Sequence, residues 1–265
     1  MNKDIIFEAK TVQTSNIKTL FEVLKEVLID LNLVITKDKI KIVALNNTEV
    51  SLIHVKLEAE AFESYFCERT NDNPLILGIH TDNLYKIIKT IKHDETISFY
   101  VTKKDPHFLF IRKENKVRNS INIFKVQLHT INAANYELPD IGFDTEITMS
   151  STEFQKLCKD YHGLGAKTLE IKTVGHQLFF SSVGDFSSFE AVLGSSNNTS
   201  FVNENDSSVI QGEFDIKYLL LFSKASNLSN TVELYLKNDY PLVMNYRIGS
   251  LGDLKFIVSG INNGS

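Results

Sequence analysis

Apolar side chains recur every three or four residues in four segments of the chain, and this spacing predicts amphipathic α-helices. The apolar stripe of the first segment begins at Ile17 and continues to Leu31. The fourth segment is apolar almost all round, which is typical of a helix packed on several sides. The predicted helices cover residues 17–31, 82–91, 151–161 and about 215–225.

Polar residues mark the start of two of these helices. Thr81 precedes the second helix and is available as its N-cap. Ser150 and Glu153 precede and open the third helix in the pattern of a capping box, in which each side chain bonds the other residue's backbone N–H. Both patterns predict where the helices begin.

Apolar and polar residues alternate over most of the chain between the helices, which predicts half-buried β-strands. Asn238 and Asp239 separate the last two alternating sets and indicate a hairpin turn, with Pro241 at the edge of the following strand. A few helices among many strands predict an α+β fold, with the helices packed on one face of antiparallel sheets. The alternating sets are Ile40/Ile42/Ala44, Ile97/Phe99/Val101, Val232/Leu234/Leu236 and Leu242/Met244/Tyr246/Ile248.

The chain divides into two similar halves. Residues 129–143 follow neither period and are predicted to be an interdomain connector. Residues 1–128 and 144–265 then form two domains, each with two helices. Segments 84–89 and 154–159 share the pattern apolar-x-Lys-apolar-apolar-Lys, which indicates a duplicated domain.

The composition narrows the possible classes of protein. The 265 residues are 43% hydrophobic and 23% charged, as in folded globular proteins. Two cysteines, Cys67 and Cys158, are too few for a disulfide framework or a Cys-ligated zinc site. The common nucleotide-binding, hydrolase and metalloprotease motifs do not occur, so we predict a protein that is not an enzyme, with no catalytic residues, metal or cofactor. Without a leader or an 18-residue apolar segment, the chain is expected to be intracellular, soluble and independent of membranes.

Lysines on one side of each predicted helix are the positive signal in the sequence. The net charge is −5, so any nucleic-acid surface must be a local basic patch on an acidic protein. Repetition of the feature on all four helices favours one surface that contacts the phosphates of duplex DNA. A solvated helix face with salt bridges is the alternative, since Glu22 lies between Lys18 and Lys25. The candidate DNA-binding residues are Lys18, Lys25, Lys86, Lys89, Lys156, Lys159, Lys217 and Lys224.

Several segments, in the same order along the chain, resemble the proliferating cell nuclear antigen family, the DNA sliding clamps of eukaryotes and viruses. Each match is loose, but the collinear set is specific and covers essentially the whole chain. The matching segments are 43–52, 61–67, 77–79 with 86–89, 149–160, 179–185, 218–225, 228–232, 241–243 and 251–256.

The resemblance implies a clamp fold in which three chains form a ring around duplex DNA, with the lysine-bearing helices facing the hole. It also implies DNA polymerase, other proteins with a clamp-binding peptide, and a clamp loader as partners. The implied partner-peptide pocket consists of Leu45, Tyr136, Leu138, Pro139, Pro241, Ile257 and Val258. The implied subunit interface consists of Asn122, Phe124 and Val126 on one edge strand and Phe189, Ala191 and Leu193 on another.

The sequence also departs from the family pattern. Asn46 stands where the family has Asp, Ser259-Gly260-Ile261 replaces Ala-Pro-Lys, and Val174-Gly175 replaces a turn that carries a regulatory lysine in eukaryotic members. Together with abundant Asn, Ile and Lys, these departures suggest a large DNA virus or a divergent eukaryote. The expected location is the nucleus, or a cytoplasmic replication factory for a viral protein.

The leading hypothesis is a non-enzymatic sliding clamp that encircles duplex DNA and tethers replication and repair enzymes. One alternative keeps the fold but not the ring, as a monomeric or heteromeric clamp-like processivity or checkpoint subunit. The other alternative is an enzyme whose site is assembled from dispersed His and Asp residues.

Overall fold

The computed structural model describes residues 4–132, 142–196, 199–203 and 209–261. The chain forms two compact units. Unit 1 contains residues 1–47, 53–136 and 248–254, and unit 2 contains residues 48–52, 137–247 and 255–265. Residues 248–254, which the sequence analysis assigns to the second domain, therefore cluster with unit 1.

The first eleven main elements precede the connector. They are β1 (Ile5–Thr11), α1 (Thr14–Val27), β2 (Asp30–Ile35), β3 (Lys39–Leu45), β4 (Ser51–Glu58), β5 (Ser64–Cys67), β6 (Leu75–His80), α2 (Thr81–Ile88), β7 (Thr96–Thr102), β8 (Phe108–Asn115) and β9 (Ser120–Gln127). A 3₁₀ turn, Ala59–Ala61, lies between β4 and β5.

The remaining main elements follow the connector. They are β10 (Thr145–Ser150), α3 (Ser151–Gly163), β11 (Thr168–Val174), β12 (Gln177–Val183), β13 (Ser188–Gly194), β14 (Ser200–Asn203), β15 (Val209–Asp215), α4 (Ile216–Phe222), β16 (Thr231–Leu236), β17 (Leu242–Arg247) and β18 (Gly252–Val258). A 3₁₀ turn, Ser223–Asn227, follows α4 directly.

The two sets of elements repeat one order: a strand, a helix, five strands, a second helix and three strands. Strand pairing repeats as well. β1 lies antiparallel between β5 and β7, and β10 lies antiparallel between β14 and β16. β2 lies between β3 and β6, as β11 lies between β12 and β15. This repetition confirms the predicted α+β fold with two similar domains, each with two helices on antiparallel sheets.

The first helix is shorter than its apolar stripe predicts. The buried face of α1 includes Ile17, Leu20, Phe21 and Leu24, as expected for an amphipathic helix. Leu28, however, has extended backbone angles and ends the helix, and Leu31 is buried on β2. The prediction that the helix reaches residue 31 is wrong, because a buried residue near the start of the next strand can continue a helical spacing by chance.

The predicted cap of α2 is also wrong, while Ser150 is confirmed as the N-cap of α3. His80 is the N-cap of α2, and Thr81 is the first helical residue, with its hydroxyl buried and unpartnered. For α3, the Ser150 hydroxyl accepts a hydrogen bond from the N–H of Glu153 at 3.4 Å. The two starts differ because Ser150 has the extended angles of a cap, whereas Thr81 already lies within the helix.

The predicted strands and hairpin turn are confirmed. The apolar positions predicted to face the core in β7, β16 and β17 are buried, including Ile97, Leu234 and Met244. In β7 and β17 some of the intervening residues, such as Ser98 and Asn245, are buried as well. Asp239 has φ of 62°, a left-handed conformation that suits a tight turn between β16 and β17. Pro241 immediately precedes β17, where its missing N–H interrupts no part of the strand.

Six strands end the three sheets of the described residues, and two of them, β9 and β13, hold the residues predicted for the subunit interface. β9 is the last strand in the order β5-β1-β7-β8-β9, and β13 is the last in the order β13-β12-β11-β15. An exposed edge strand presents unpaired N–H and C=O groups and is a template for pairing with another chain.

Candidate nucleic-acid interface

The helix lysines of unit 1 lie on two helices that pack against each other. The Nζ of Lys25 on α1 lies 5.1 Å from the ring centre of Tyr85 on α2, a cation–π contact between the helices. The opposite face of α1 is buried, so Lys18 and Lys25 lie on its partly exposed side. Lys86 on α2 and Lys89 at its C-cap are exposed.

The helix lysines of unit 2 are arranged in a similar way. Lys156 and Lys159 are exposed on α3, and Lys217 is exposed on α4. Lys224 was predicted to lie on α4, but it lies in the 3₁₀ turn that follows this helix. This turn is held beside α3, because the side-chain amide of Gln155 donates to the Ser223 carbonyl at 3.0 Å.

Within the described part of the chain, some of these lysines form ion pairs with carboxylates close in sequence. Lys25 pairs with Glu26 at 2.5 Å, Lys86 with Asp82 at 2.7 Å, and Lys217 with Asp215 at 3.1 Å. The hydrogen bonds to these carboxylates raise the pKa of Lys25 and of Lys217, so both stay protonated at neutral pH. Part of the helix surface therefore has the salt bridges that the alternative prediction expected. Their carboxylates are those of Glu26, Asp82 and Asp215 rather than that of Glu22.

These ion pairs do not prevent phosphate binding. Exposed pairs contribute only about 0–1 kcal/mol, so a phosphate oxygen can replace the carboxylate at little cost. Among the described residues, Lys18, Lys89 and Lys156 have no carboxylate oxygen within 4.0 Å. The lysines of the helix layer in each unit can thus act as exchangeable contacts for an anionic backbone.

The structure describes four of the seven predicted pocket residues. Leu45, Pro241 and Ile257 are partly exposed, but Val258 is fully buried. Val258 is therefore wrong as a pocket residue, because alternation along β18 turns its side chain into the core, like those of Leu254 and Phe256. The other three predicted residues, Tyr136, Leu138 and Pro139, lie outside the described residues.

A cleft of about 280 Å³ in unit 2 is lined by Pro241 and by the chain end Ser259-Gly260-Ile261. The chain end is held there because the N–H of Ile261 donates to the carbonyl of Glu213 on β15 at 2.8 Å. Sequence reasoning missed Gln211 and Tyr240 in this cleft. Their proximity to the chain end depends on strand pairing, and no local pattern signals it.

The predicted interface residues lie on the two edge strands. Phe124, Val126, Phe189, Ala191 and Leu193 are partly exposed, and Asn122 is exposed. The Phe189 ring stacks on Tyr161 of α3, with ring centres 5.4 Å apart. Sequence reasoning missed the apolar residues on the other faces of these strands: Ile121, Ile123 and Val192 are 52%, 57% and 47% exposed.

Clusters of three or more His, Cys, Asp or Glu side chains suited to a metal ion are absent from the described part of the chain. Within those same residues, every helix is too short or too polar to cross a membrane.

The fold and the site define a class of duplicated α+β proteins with exposed lysines on the helix layer and free edge strands. The family models give the class its name. The model for the proliferating cell nuclear antigen N-terminal domain matches residues 6–136, and that for its C-terminal domain matches residues 137–261. The chain therefore belongs to the proliferating cell nuclear antigen family.

Individual relatives agree over nearly the full length of the chain. "Probable DNA polymerase sliding clamp 1" of Paramecium bursaria Chlorella virus 1 is 37% identical over 97% of this chain and 98% of its own length. Proliferating cell nuclear antigen of Chaetomium thermophilum is 27% identical over 96% of this chain and 97% of its own. The crystal structure of the Entamoeba histolytica protein has a TM-score of 0.87 at 26% identity and covers 97% of this chain and 99% of its own.

Proposed function

We propose that this protein is a DNA sliding clamp: a ring of three chains that encircles duplex DNA and tethers a polymerase and other enzymes to it. The observation that carries the proposal is the repeated fold, in which each unit bears exposed lysines on its helix layer and ends a sheet in an unpaired strand. The protein acts at the site of replication and performs no chemistry itself. A ring is held on DNA by topology, so weak contacts with phosphates suffice.

The internal repeat supports a specific pairing between chains. By element order, β9 corresponds to β18 and β13 corresponds to β4. Near the end of β4, the N–H of Glu58 donates to the carbonyl of Leu251, just before β18, at 2.9 Å. Within unit 1, the end of β4 and the start of β18 are therefore antiparallel neighbours, whereas their counterparts β13 and β9 have free edges among the described residues. We propose that β13 of one chain pairs with β9 of the next in the same way.

Hydrogen bonds shared by the two repeats indicate the register. The N–H of His129 donates to the carbonyl of Gly78, and the N–H of Ile261 donates in the same way to the carbonyl of Glu213. His129 and Ile261 are therefore equivalent positions, and so are Phe124 and Phe256, which lie five residues before them. The hairpins β12–β13 and β3–β4 can be compared in the same way. Leu193 pairs with Leu178 in the first, and Leu57 pairs with Ile40 in the second. Leu193 is therefore the counterpart of Leu57, and Phe189, four residues earlier, is the counterpart of Ile53. The Glu58–Leu251 bond sets Leu57 opposite Gly252 within unit 1, so their counterparts Leu193 and Ser120 are expected opposite each other in neighbouring chains. The same register places Phe189 opposite Phe124 of the next chain.

In each edge strand, every second amide points away from the neighbouring strand of its own sheet, and the positions of these outward amides agree with this register. The bond from Gly184 N–H to Ser187 O leaves the N–H of Glu190 directed away from β12. The bond from Leu128 N–H to His107 O likewise leaves the N–H of Ile123 directed away from β8. Glu190 and Ile123 lie opposite each other in the proposed register, so each free amide meets a free carbonyl. Such a head-to-tail contact between different surfaces closes into a ring when the rotation allows it.

A topological test separates this proposal from the monomeric or heteromeric alternative. After loading by a clamp loader, the protein is expected to stay on nicked circular DNA through gel filtration and to leave within minutes once the circle is cut. The reason is that a ring slides off free ends, whereas a protein held by direct contacts does not respond to cutting. Equal retention on circular and linear DNA would support the alternative without a ring.

Partner proteins are expected to bind through a short peptide with apolar and aromatic anchors, because a few buried anchors supply most of the binding energy at such sites. Leu138→Asp is expected to abolish binding of a clamp-binding peptide, measured by fluorescence polarisation. Tyr240→Ala, at the cleft of the chain end, is expected to weaken it by about tenfold. Both variants should keep the mass and melting temperature of the parent protein.

The control for this prediction is Val117→Asp, which adds a charge at an apolar side chain that is 90% exposed on a loop. It should bind the peptide like the parent protein. Normal binding by Leu138→Asp would place partner recognition elsewhere, and its unfolding would make Leu138 part of the core instead.

A further inference from the structure

A cleft of about 400 Å³ opens beside the start of α3 in unit 2, and it belongs to none of the sites described above. Among the described residues, its lining consists of hydroxyl and amide side chains and contains no charged group. Hydroxyls and amides are hydrogen-bond donors that can surround the oxygens of a polar ligand. The lining residues are Thr148, Ser150, Thr152, Thr199, Ser200, Asn230 and Thr231.

Thr199 presents a hydroxyl group to the cleft. Its side chain lines the cleft although the residue is only 5% exposed. Within the described part of the chain its hydroxyl has no hydrogen-bond partner, and the oxygen is not sealed in the interior. Because this hydroxyl is open to the cleft, it can donate a hydrogen bond to an acceptor oxygen of a ligand there in place of water.

The surroundings of the cleft favour a negatively charged ligand. α3 has 13 residues and starts at the cleft, so its positive dipole end faces the lining. Thr152, Lys156 and Lys159 follow one another at helical spacings of four and three residues and are all exposed. The lysine row of α3 therefore leads directly to the cleft.

The carboxylates near the cleft among the described residues include Glu233, Glu153 and, two residues before Thr148 on β10, Glu146. Glu233 is opposite Thr148 in the strand register, but its carboxylate already accepts hydrogen bonds from Tyr235 at 2.8 Å and Asn245 at 2.6 Å. Glu153 is exposed in the first turn of α3, where water screens its charge.

We propose that this hydroxyl-lined cleft binds a backbone phosphate of the DNA that the clamp encircles. The phosphate would accept hydrogen bonds from Thr199 and from lining hydroxyls outside the Ser150–Thr152 hydrogen bond of 3.0 Å. It would be the next contact beyond Lys159 and Lys156 along α3. This inference rests on the proposed function, because it takes duplex DNA as the ligand. Its chemistry predicts no preference for base sequence, since phosphates carry none.

Thr199→Val tests the proposal, because valine has nearly the shape of threonine without its hydroxyl. Without phosphate, the variant is expected to melt at the temperature of the parent protein or above it, since no hydrogen bond is removed. Inorganic phosphate at ten times its dissociation constant should raise the melting temperature of the parent by about 3 °C relative to chloride at equal ionic strength. The variant should lose most of that rise.

Thr70→Val is the matched control, since Thr70 is an exposed loop residue of unit 1. It should keep the full rise, including the general stabilisation that phosphate gives to any folded protein. The second arm is the affinity for a short DNA duplex at low salt, which Thr199→Val should lower about three- to tenfold.

Each outcome of these two arms decides the proposal. Equal phosphate effects in Thr199→Val and the parent protein would overturn it. Loss of the phosphate effect with unchanged affinity for the duplex would overturn the assignment to DNA and leave a site for free phosphate. Failure of the proposed function has a different signature, which is release of the unmodified protein from circular DNA.

Discussion

Glu190→Pro is expected to convert the protein from a trimer of about 90 kDa, three times the chain mass of 30.1 kDa, into monomers at micromolar concentration. Proline has no N–H, and at this position it removes the outward amide that we propose bonds to β9 of the next chain. Its ring would also lie between the two strands. Light scattering across concentration measures the effect, and primer extension should lose its dependence on the clamp at the same time.

The position of the proline decides what the experiment tests. At Ala191, the neighbouring residue, proline would remove an amide that bonds to Phe180 of β12 and would damage the sheet itself. At Glu190, an edge strand tolerates proline, because the N–H that it removes has no partner among the described residues of the chain.

Glu190→Ala is the matched control, since it loses the same carboxylate and keeps the amide. It should remain trimeric. A Glu190→Pro protein that is still trimeric, with unchanged circular dichroism, would rule out pairing through β13.

Replacement of Lys86, Lys89, Lys156 and Lys159 by Ala is expected to weaken binding of a short DNA duplex by at least about tenfold at low salt. The plot of log affinity against log salt concentration should flatten by about 0.9 for each DNA phosphate that the variant no longer neutralises. Base sequence should have no influence on the change. The trimer should persist, because none of these lysines lies on an edge strand.

The control removes the same charge from other parts of the surface. Replacement of Lys37, Lys103, Lys104 and Lys116 by Ala also changes the net charge of −5 to −9, but these exposed lysines lie outside the helices. If the two variants lose affinity equally, only net charge matters and the helix lysines form an ordinary solvated face. Retained affinity in the control, with a loss in the helix variant, supports contact at the helices.

Sequence patterns predicted much of the fold because they reflect local geometry. Period-two alternation identified β7, β16 and β17, and the hydroxyl of Ser150 identified the start of α3, since each depends on residues only a few positions apart. The same local reasoning placed Leu31 on α1 and Lys224 on α4. Both errors fall at helix ends, where backbone angles change within one or two residues and side-chain spacing cannot show it.

Some features of the candidate sites could likewise be predicted from the sequence, and others could not. Exposure of the helix lysines follows from the burial of the opposite helix faces, which the sequence shows directly. The partners of Lys25, Lys86 and Lys217 do not, because several carboxylates lie within reach of each lysine and rotamers decide among them. Val258 was misplaced because a resemblance gives a position on β18 but not the direction of its side chain.

By itself, the sequence determined that this protein has a duplicated α+β fold, a basic side on its helices and a resemblance to DNA sliding clamps. Only the tertiary structure decided which strands end the sheets, which amide of β13 is free, and that Thr199 meets the start of α3 at a cleft. The physical reason is the distance along the chain between the residues that form each feature. Helix and strand patterns arise from contacts between near neighbours, whereas sheet order, hydrogen-bond phase and clefts arise from residues that lie far apart in the chain and meet only when it folds.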